Sequence, residues 1–300
     1  NDGTRDTLTF EPEVEEGADV VRWNFAVLNE EGEQVTQRSG EGALPDSIRF
    51  EGRAGGTPLP QGGYTGRLQV RYRNGESVEA RTSPVTLDVE SPSASLSLQS
   101  AQFSPNNDGE EETLTIEQQT RGGATWRARI LPLEGEDPVL TANWEEPPAQ
   151  FTWNGQTSSG NTAATGEYRY RLTGRDSAGN SVSVESDPFL LDRQGPSLSV
   201  ALENIPFTPD GDGTNDTLRI LVEASDRSSI EGWSITFYGP TGNQFDRLSG
   251  EGTPPHPVTW DGQGRETAMV ESAREYTAAV TVADATGIES TVERTVPVGI

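Results

Sequence analysis

Three stretches alternate apolar and polar residues with a period of two: YTGRLQVRY from Tyr64, YRYRLTGRD from Tyr168 and YTAAVTVAD from Tyr276. That period puts successive side chains on opposite faces of an extended chain, so each stretch predicts a half-buried β-strand. VRWNFAVLN from Val21, WRARILPL from Trp126 and WSITFYGP from Trp233 alternate in the same way. Each Tyr-led run stops at a turn signal, at Asn74-Gly75, Asp176 to Asn180 and Asp284 to Gly287. A helical period survives in no 12-residue window. The pattern predicts an all-β chain.

The strands recur in a larger repeat. NDGTRDTLTF from Asn1, NDGEEETLTI from Asn107 and GDGTNDTLRI from Gly211 align without gaps, 106 and then 104 residues apart. The last two follow Phe103-Ser104-Pro105-Asn106 and Phe207-Thr208-Pro209-Asp210, whereas the first lacks this lead-in. A second landmark recurs at Phe50-Glu51-Gly52, Trp153-Asn154-Gly155 and Trp260-Asp261-Gly262, followed by Tyr64, Tyr168 and Tyr276. A period near 100 residues with many short strands predicts three tandem immunoglobulin-like β-sandwiches. The boundaries expected are 1–90 for an N-terminally truncated module, 91–194 and 195–300. Short joints carrying Pro92 and Pro196 restrict rotation, so an elongated, semi-rigid array is expected.

The lead-in, the DGxxD stretch, the Trp-Asp-Gly landmark and the later Tyr resemble a family of bacterial Ig-like repeats. It includes the Ig-like domain of flagellar hook-capping proteins and the C-terminal modules of gliding-motility and type IX secreted proteins. The match is best in FTPDGDGTNDTLRI and TWDG of the third copy. Copy one departs from it at Phe50 and has no acidic residue at Asn74 to match Asp176, and copy three has Ala273-Arg274-Glu275 before its Tyr. The resemblance implies spacers, adhesive stalks or envelope-anchoring segments, with export to the periplasm or the cell surface.

Composition narrows the chemistry. The net charge of −26 disfavours nucleic acid and anionic membrane as partners and favours cations, and it also keeps a chain soluble in concentrated salt. All 22 basic residues are Arg, so Schiff-base and Ser-Lys catalysis are excluded. Absence of Cys excludes disulfides, thiolate zinc sites and a Cys nucleophile. No run of 18 apolar residues exists to span a membrane as a helix. His256, the single histidine, sits in Pro254-Pro255-His256-Pro257 without a nucleophile motif nearby, so no enzyme is expected.

The acidic stretches are the candidate metal sites. Asp210, Asp212 and Asp216 occupy relative positions 1, 3 and 7 with Gly211 and Gly213 between them, a clustering of oxygen donors that suits calcium. Copy two offers Asn106, Asp108 and Glu112, and copy one Asp2 and Asp6, so affinity should fall in that order. The competing reading is a tight turn in which the same side chains cap backbone amides. Each loop follows a linker in sequence, so an ion there is expected to order the preceding joint. Five of the six Trp residues fall on strand or landmark positions that suit a core; Trp144 is the one left for a contact surface. These features predict a non-catalytic stalk of a larger envelope or surface protein, stiffened by calcium. The alternative is a module that binds peptidoglycan, another glycan or a surface protein.

Overall fold

The computed structural model describes residues 7–15, 19–265 and 268–299. All its named elements are strands. The first repeat holds β1 (Leu8–Phe10), β2 (Val20–Leu28), β3 (Gln34–Glu41), β4 (Ile48–Phe50), β5 (Arg53–Ala54), β6 (Thr57–Pro58), β7 (Gly62–Tyr72), β8 (Ser77–Arg81) and β9 (Val85–Leu87). The second holds β10 (Ser93–Leu98), β11 (Gln102–Phe103), β12 (Leu114–Arg121), β13 (Ala124–Pro132), β14 (Leu140–Trp144), β15 (Gln150–Trp153), β16 (Gly166–Asp176), β17 (Ser181–Glu185) and β18 (Phe189–Leu191). The third holds β19 (Ser197–Glu203), β20 (Leu218–Ser225), β21 (Ile230–Tyr238), β22 (Gln244–Glu251), β23 (Val258–Trp260), β24 (Glu275–Asp284) and β25 (Glu289–Pro297).

Each repeat pairs a narrow sheet with a wide one, the arrangement of an immunoglobulin-like sandwich. In the second the narrow sheet runs β10-β12-β15 and the wide one β11-β18-β16-β13-β14, with β17 also on β16. In the third the orders are β19-β20-β23 and β22-β21-β24-β25, and in the first β1-β4 and β3-β2-β7-β8, with β9 also on β7. The same register recurs in the narrow sheets: Leu8 faces Phe50, Leu114 faces Trp153 and Leu218 faces Trp260. The landmark aromatic is therefore fixed by sheet pairing.

Alternation sets what is buried. Along β16 Tyr168, Tyr170, Leu172 and Gly174 point inward, and Arg169 and Arg171 point out. The buried apolar side chains form three separate clusters, one per repeat. Trp153 centres the second, with Phe103, Tyr168 and Phe189 at 5.4, 5.3 and 6.0 Å between ring centres. Trp260 stacks on Phe237 at 3.8 Å in the third. The first cluster is thinner, and an apolar cavity of about 620 Å³ opens beside Leu8, Phe10, Phe50, Tyr64 and Leu87. Phe103 fills the corresponding place in the second repeat, against Trp153. The surface is 17350 Å², where a compact single domain of 32.3 kDa would expose about 12,300 Å². Three small cores instead of one account for the excess.

The landmark tyrosines tie the sandwich corners. Tyr64 and Tyr168 donate from their hydroxyls to the carbonyls of Pro60 and Ala164, at 2.8 and 2.7 Å. Copy three, which lacks the Gly before its Tyr, reverses the bond: the Tyr276 hydroxyl accepts from the Glu271 N–H at 3.1 Å. Turn registers also correct one sequence alignment. Asp176 and Asp284 open five-residue turns closed on Asn180 and Ile288, and Tyr72, closing on Glu76, holds that place in the first repeat instead of Asn74.

Candidate cation sites

Two groups of three carboxylates in the third repeat and its approach each bring one oxygen per residue within 4.8 Å of the others. The first is the anticipated loop, Asp210, Asp212 and Asp216. Its local fold follows from Asx turns: Asp210 Oδ1 accepts the Asp212 N–H and Asp212 Oδ1 accepts the Thr214 N–H, at 3.0 and 2.7 Å. Asp216 reaches back with both oxygens, to the N–H groups of Gly211 and Gly213 at 2.6 and 2.7 Å. Gly211 and Gly213 take φ of +82° and +91°, which glycine adopts without steric cost. Asp210 and Asp212 are exposed.

The Asn106 to Glu112 loop repeats three of these four bonds. Asn106 Oδ1 accepts the Asp108 N–H, Asp108 Oδ1 the Glu110 N–H, and Glu112 Oε1 the Gly109 N–H. Here the Asn106 side-chain amide also donates to Asp108 Oδ2 at 2.7 Å, closing the loop on itself. The Glu110 N–H, with help from Asn106, holds the Asp108 carboxyl below its ordinary range. Asp2 and Asp6 lie outside the described residues.

The position of the second loop differs from the expectation that it would order the preceding joint. Phe103, just before it, accepts the Asp192 N–H, and the Ala101 carbonyl accepts the Leu190 N–H. The loop thus lies against the linker that leaves its repeat. Glu110 Oε2 comes within 3.4 Å of where a side chain on Gly287 of the third repeat would begin. Parallel pairing of β11 with β18 carries the start of the second sandwich to the end where its chain exits, and the parallel bridge between Phe207 and Val298 does the same in the third.

The second carboxylate group was not foreseen. Asp192 follows β18, Asp226 follows β20 and Asp284 ends β24, so one comes from the second repeat and two from facing loops of the third. Each spends Oδ1 on its own turn: Asp192 on the Gln194 N–H, Asp226 on the Ser228 N–H, and Asp284 on the N–H groups of Thr286 and Ile288. Oδ2 of Asp192 and Oδ2 of Asp284 are buried without a hydrogen-bond partner. Burial pushes the Asp192 carboxyl above its ordinary range against the pull of the Gln194 N–H, and neighbouring Asp226 adds to the rise. Across the same joint the Gln102 side-chain amide donates to the Ala285 carbonyl at 3.1 Å.

The other singled-out residues resolve simply. The exposed ring of His256 meets only a backbone group among its described hydrogen bonds, Nδ1 lying 3.1 Å from the Val222 carbonyl. Trp144 is half-buried and packs edge-on against Phe151 at 5.7 Å, at the rim of the second core. No described helix is long and apolar enough to cross a membrane.

No protein-family model matches the chain. No curated protein matches it either. Among solved structures it is similar to a tetra-tandem repeat from the extending region of a large adhesion protein, at 16% identity over 99% of this chain and 71% of that one, with a TM-score of 0.38. It is also similar to a Ca2+-stabilized adhesin that helps an Antarctic bacterium reach out and bind ice, at 14% identity over 98% and 68%, TM-score 0.39. The fibronectin(III)-like modules of Clostridium thermocellum CbhA match at 15% over 68% and 94%, TM-score 0.31.

Proposed function

We propose that the chain is a non-catalytic stalk segment of a larger, exported bacterial envelope or surface protein, built of modules 1–90, 91–194 and 195–300. The observation that carries this reading is the pair of short, hydrogen-bonded joints. Five residues separate β9 from β10 and five separate β18 from β19. Across the first joint the Asn180 amide donates to the Asp88 carbonyl at 3.3 Å, and across the second Gln102 donates to Ala285. Short joints, each carrying a hydrogen bond across it, hold successive sandwiches end to end and resist bending, which is the property a spacer needs. Separate cores let each module keep its fold whatever stands before or after it.

The adhesive alternative, a module for glycan, peptidoglycan or a partner protein, calls for a recurring exposed aromatic face. The large exposed apolar residues among those described are aliphatic and scattered, such as Val78, Val89 and Ile205. The spacer reading is therefore preferred. Calcium is the cation proposed for the Asp210–Asp212–Asp216 loop, where Oδ2 of Asp210 and of Asp212 remains outside the amide-capping bonds described. The Asn106–Asp108–Glu112 loop fits a capped turn better, because the Asn106 amide takes the place a cation would fill.

Calorimetry of the whole chain and of the fragments 91–194 and 195–300 tests the modular stalk. Fragments that fold and melt separately, with higher melting temperatures when joined than alone, support it. A fragment that unfolds when cut at these boundaries contradicts it.

A further inference from the structure

A buried, unpaired carboxylate oxygen is costly, and native folds rarely leave one. At the joint between the second and third repeats there are two, on Asp192 and Asp284, residues 1% and 0% exposed. With Asp226 they place three carboxylates within 4.8 Å, an arrangement that needs a proton or a cation among them.

The equivalent joint one repeat earlier shows what is special here. Asp88 follows β9 as Asp192 follows β18, and Asp176 ends β16 as Asp284 ends β24. Asp176 Oδ2, however, accepts the Asn180 side-chain amide at 3.0 Å, and that amide also reaches the Asp88 carbonyl. In the third repeat Ile288 holds the place of Asn180; its backbone N–H goes to Asp284 Oδ1, and its side chain has no donor for Oδ2. The third carboxylate is missing from the earlier joint as well. Gly122 stands where Asp226 would be, at φ +89°, with Pro92 3.1 Å from where a side chain would begin. The earlier joint is thus closed by an amide, and the later one replaces that amide by an apolar side chain and adds a carboxylate. Both changes raise the demand for positive charge at one point.

We propose that Asp192, Asp226 and Asp284 bind a single calcium ion between the second and third repeats. The donors are all hard oxygens, which suit calcium, and the irregular set of loop and strand-end residues suits its flexible coordination better than the strict octahedron of magnesium. One ligand comes from the strand that leaves the second repeat and two from loops of the third, so the ion ties the linker to the module that follows. Its mechanical consequence rests on the stalk reading above; the binding itself does not.

Isothermal titration of calcium into the whole chain, after chelator treatment, tests the assignment. The expected result is saturable binding with a Kd on the order of 10⁻⁴ M or tighter. The double variant Asp226→Gly, Ile288→Asn rebuilds the earlier joint, so it keeps the fold in chelator and loses this event at least tenfold, while Asp212→Asn retains it. Wild-type chain that takes up no calcium at about 10 mM, above the range of extracellular modules, would overturn the proposal in favour of a shared proton. So would a double variant that binds as well as the wild type. Scattering from the same samples separates the two readings: calcium binding with unchanged dimensions leaves the ion site standing and contradicts the stiffened stalk.

Discussion

Gly174 on β16 lies directly across from Trp126 on β13, and a methyl group at Gly174 would sit 2.6 Å from the indole ring. The same relationship joins Trp23 to Gly40 and Trp233 to Gly250, each also a cross-strand pair. A Trp laid over a glycine across the strand is thus a recurrent packing device, realised on different strand pairs. Trp126 is among the most buried side chains, so it has little room to retreat. Gly174→Ala is expected to cost about 1–3 kcal/mol through overpacking, read by denaturant titration with Trp fluorescence.

The Tyr168 hydroxyl bond to Ala164 closes the corner that leads into β16. Tyr168→Phe removes the donor and leaves the carbonyl to find water. The expected loss is about 1 kcal/mol, typical of a single neutral hydrogen bond. Thermal denaturation of the 91–194 unit would show it as a lowered Tm.

On the outer face of β16, Arg171 donates to both Glu136 and Glu185, and Arg169 donates to Glu136 at 2.5 Å. The Arg171 bond, then its charge, holds the Glu136 carboxyl below its ordinary range. A depressed carboxyl stabilises the fold above the unfolded-state pKa of about 4.3, and the contribution disappears as pH falls through the lower folded-state value. Glu136→Gln should therefore lower Tm slightly at pH 7, not at pH 2, and less in 1 M salt.

Asp212→Ala removes the acceptor for the Thr214 N–H and is expected to lower Tm even in chelator. Asp212→Asn keeps that acceptor and should restore Tm in chelator. If calcium occupies this loop, Asn fails to restore the additional stability that calcium supplies to the wild type. Paired melting curves with calcium and with chelator read both effects.

The strands and the repeat were legible because alternation and landmark aromatics are local signals. Leu8, Leu114 and Leu218 meet their aromatic partners in one register. The 210–216 loop was legible for the same reason: its three acids fall within seven consecutive residues. Asp192, Asp226 and Asp284 were not, since 34 and 58 residues separate them and each alone reads as a turn residue. Their meeting depends on how one repeat seats on the next. The available clue lay in differences between copies, Gly122 against Asp226 and Asn180 against Ile288, and matching them needs the turn register that also moved the counterpart of Asp176 from Asn74 to Tyr72.

Small-angle X-ray scattering of the whole chain tests the stalk directly. Longest strands of eleven, eleven and ten residues make each repeat about 33–36 Å long, so three end to end form a rod of about 110 Å with a radius of gyration near 31 Å. A compact 300-residue domain would give about 19 Å. A value close to 31 Å with a rod-like distance distribution is the predicted result, and a value close to 19 Å would contradict the account.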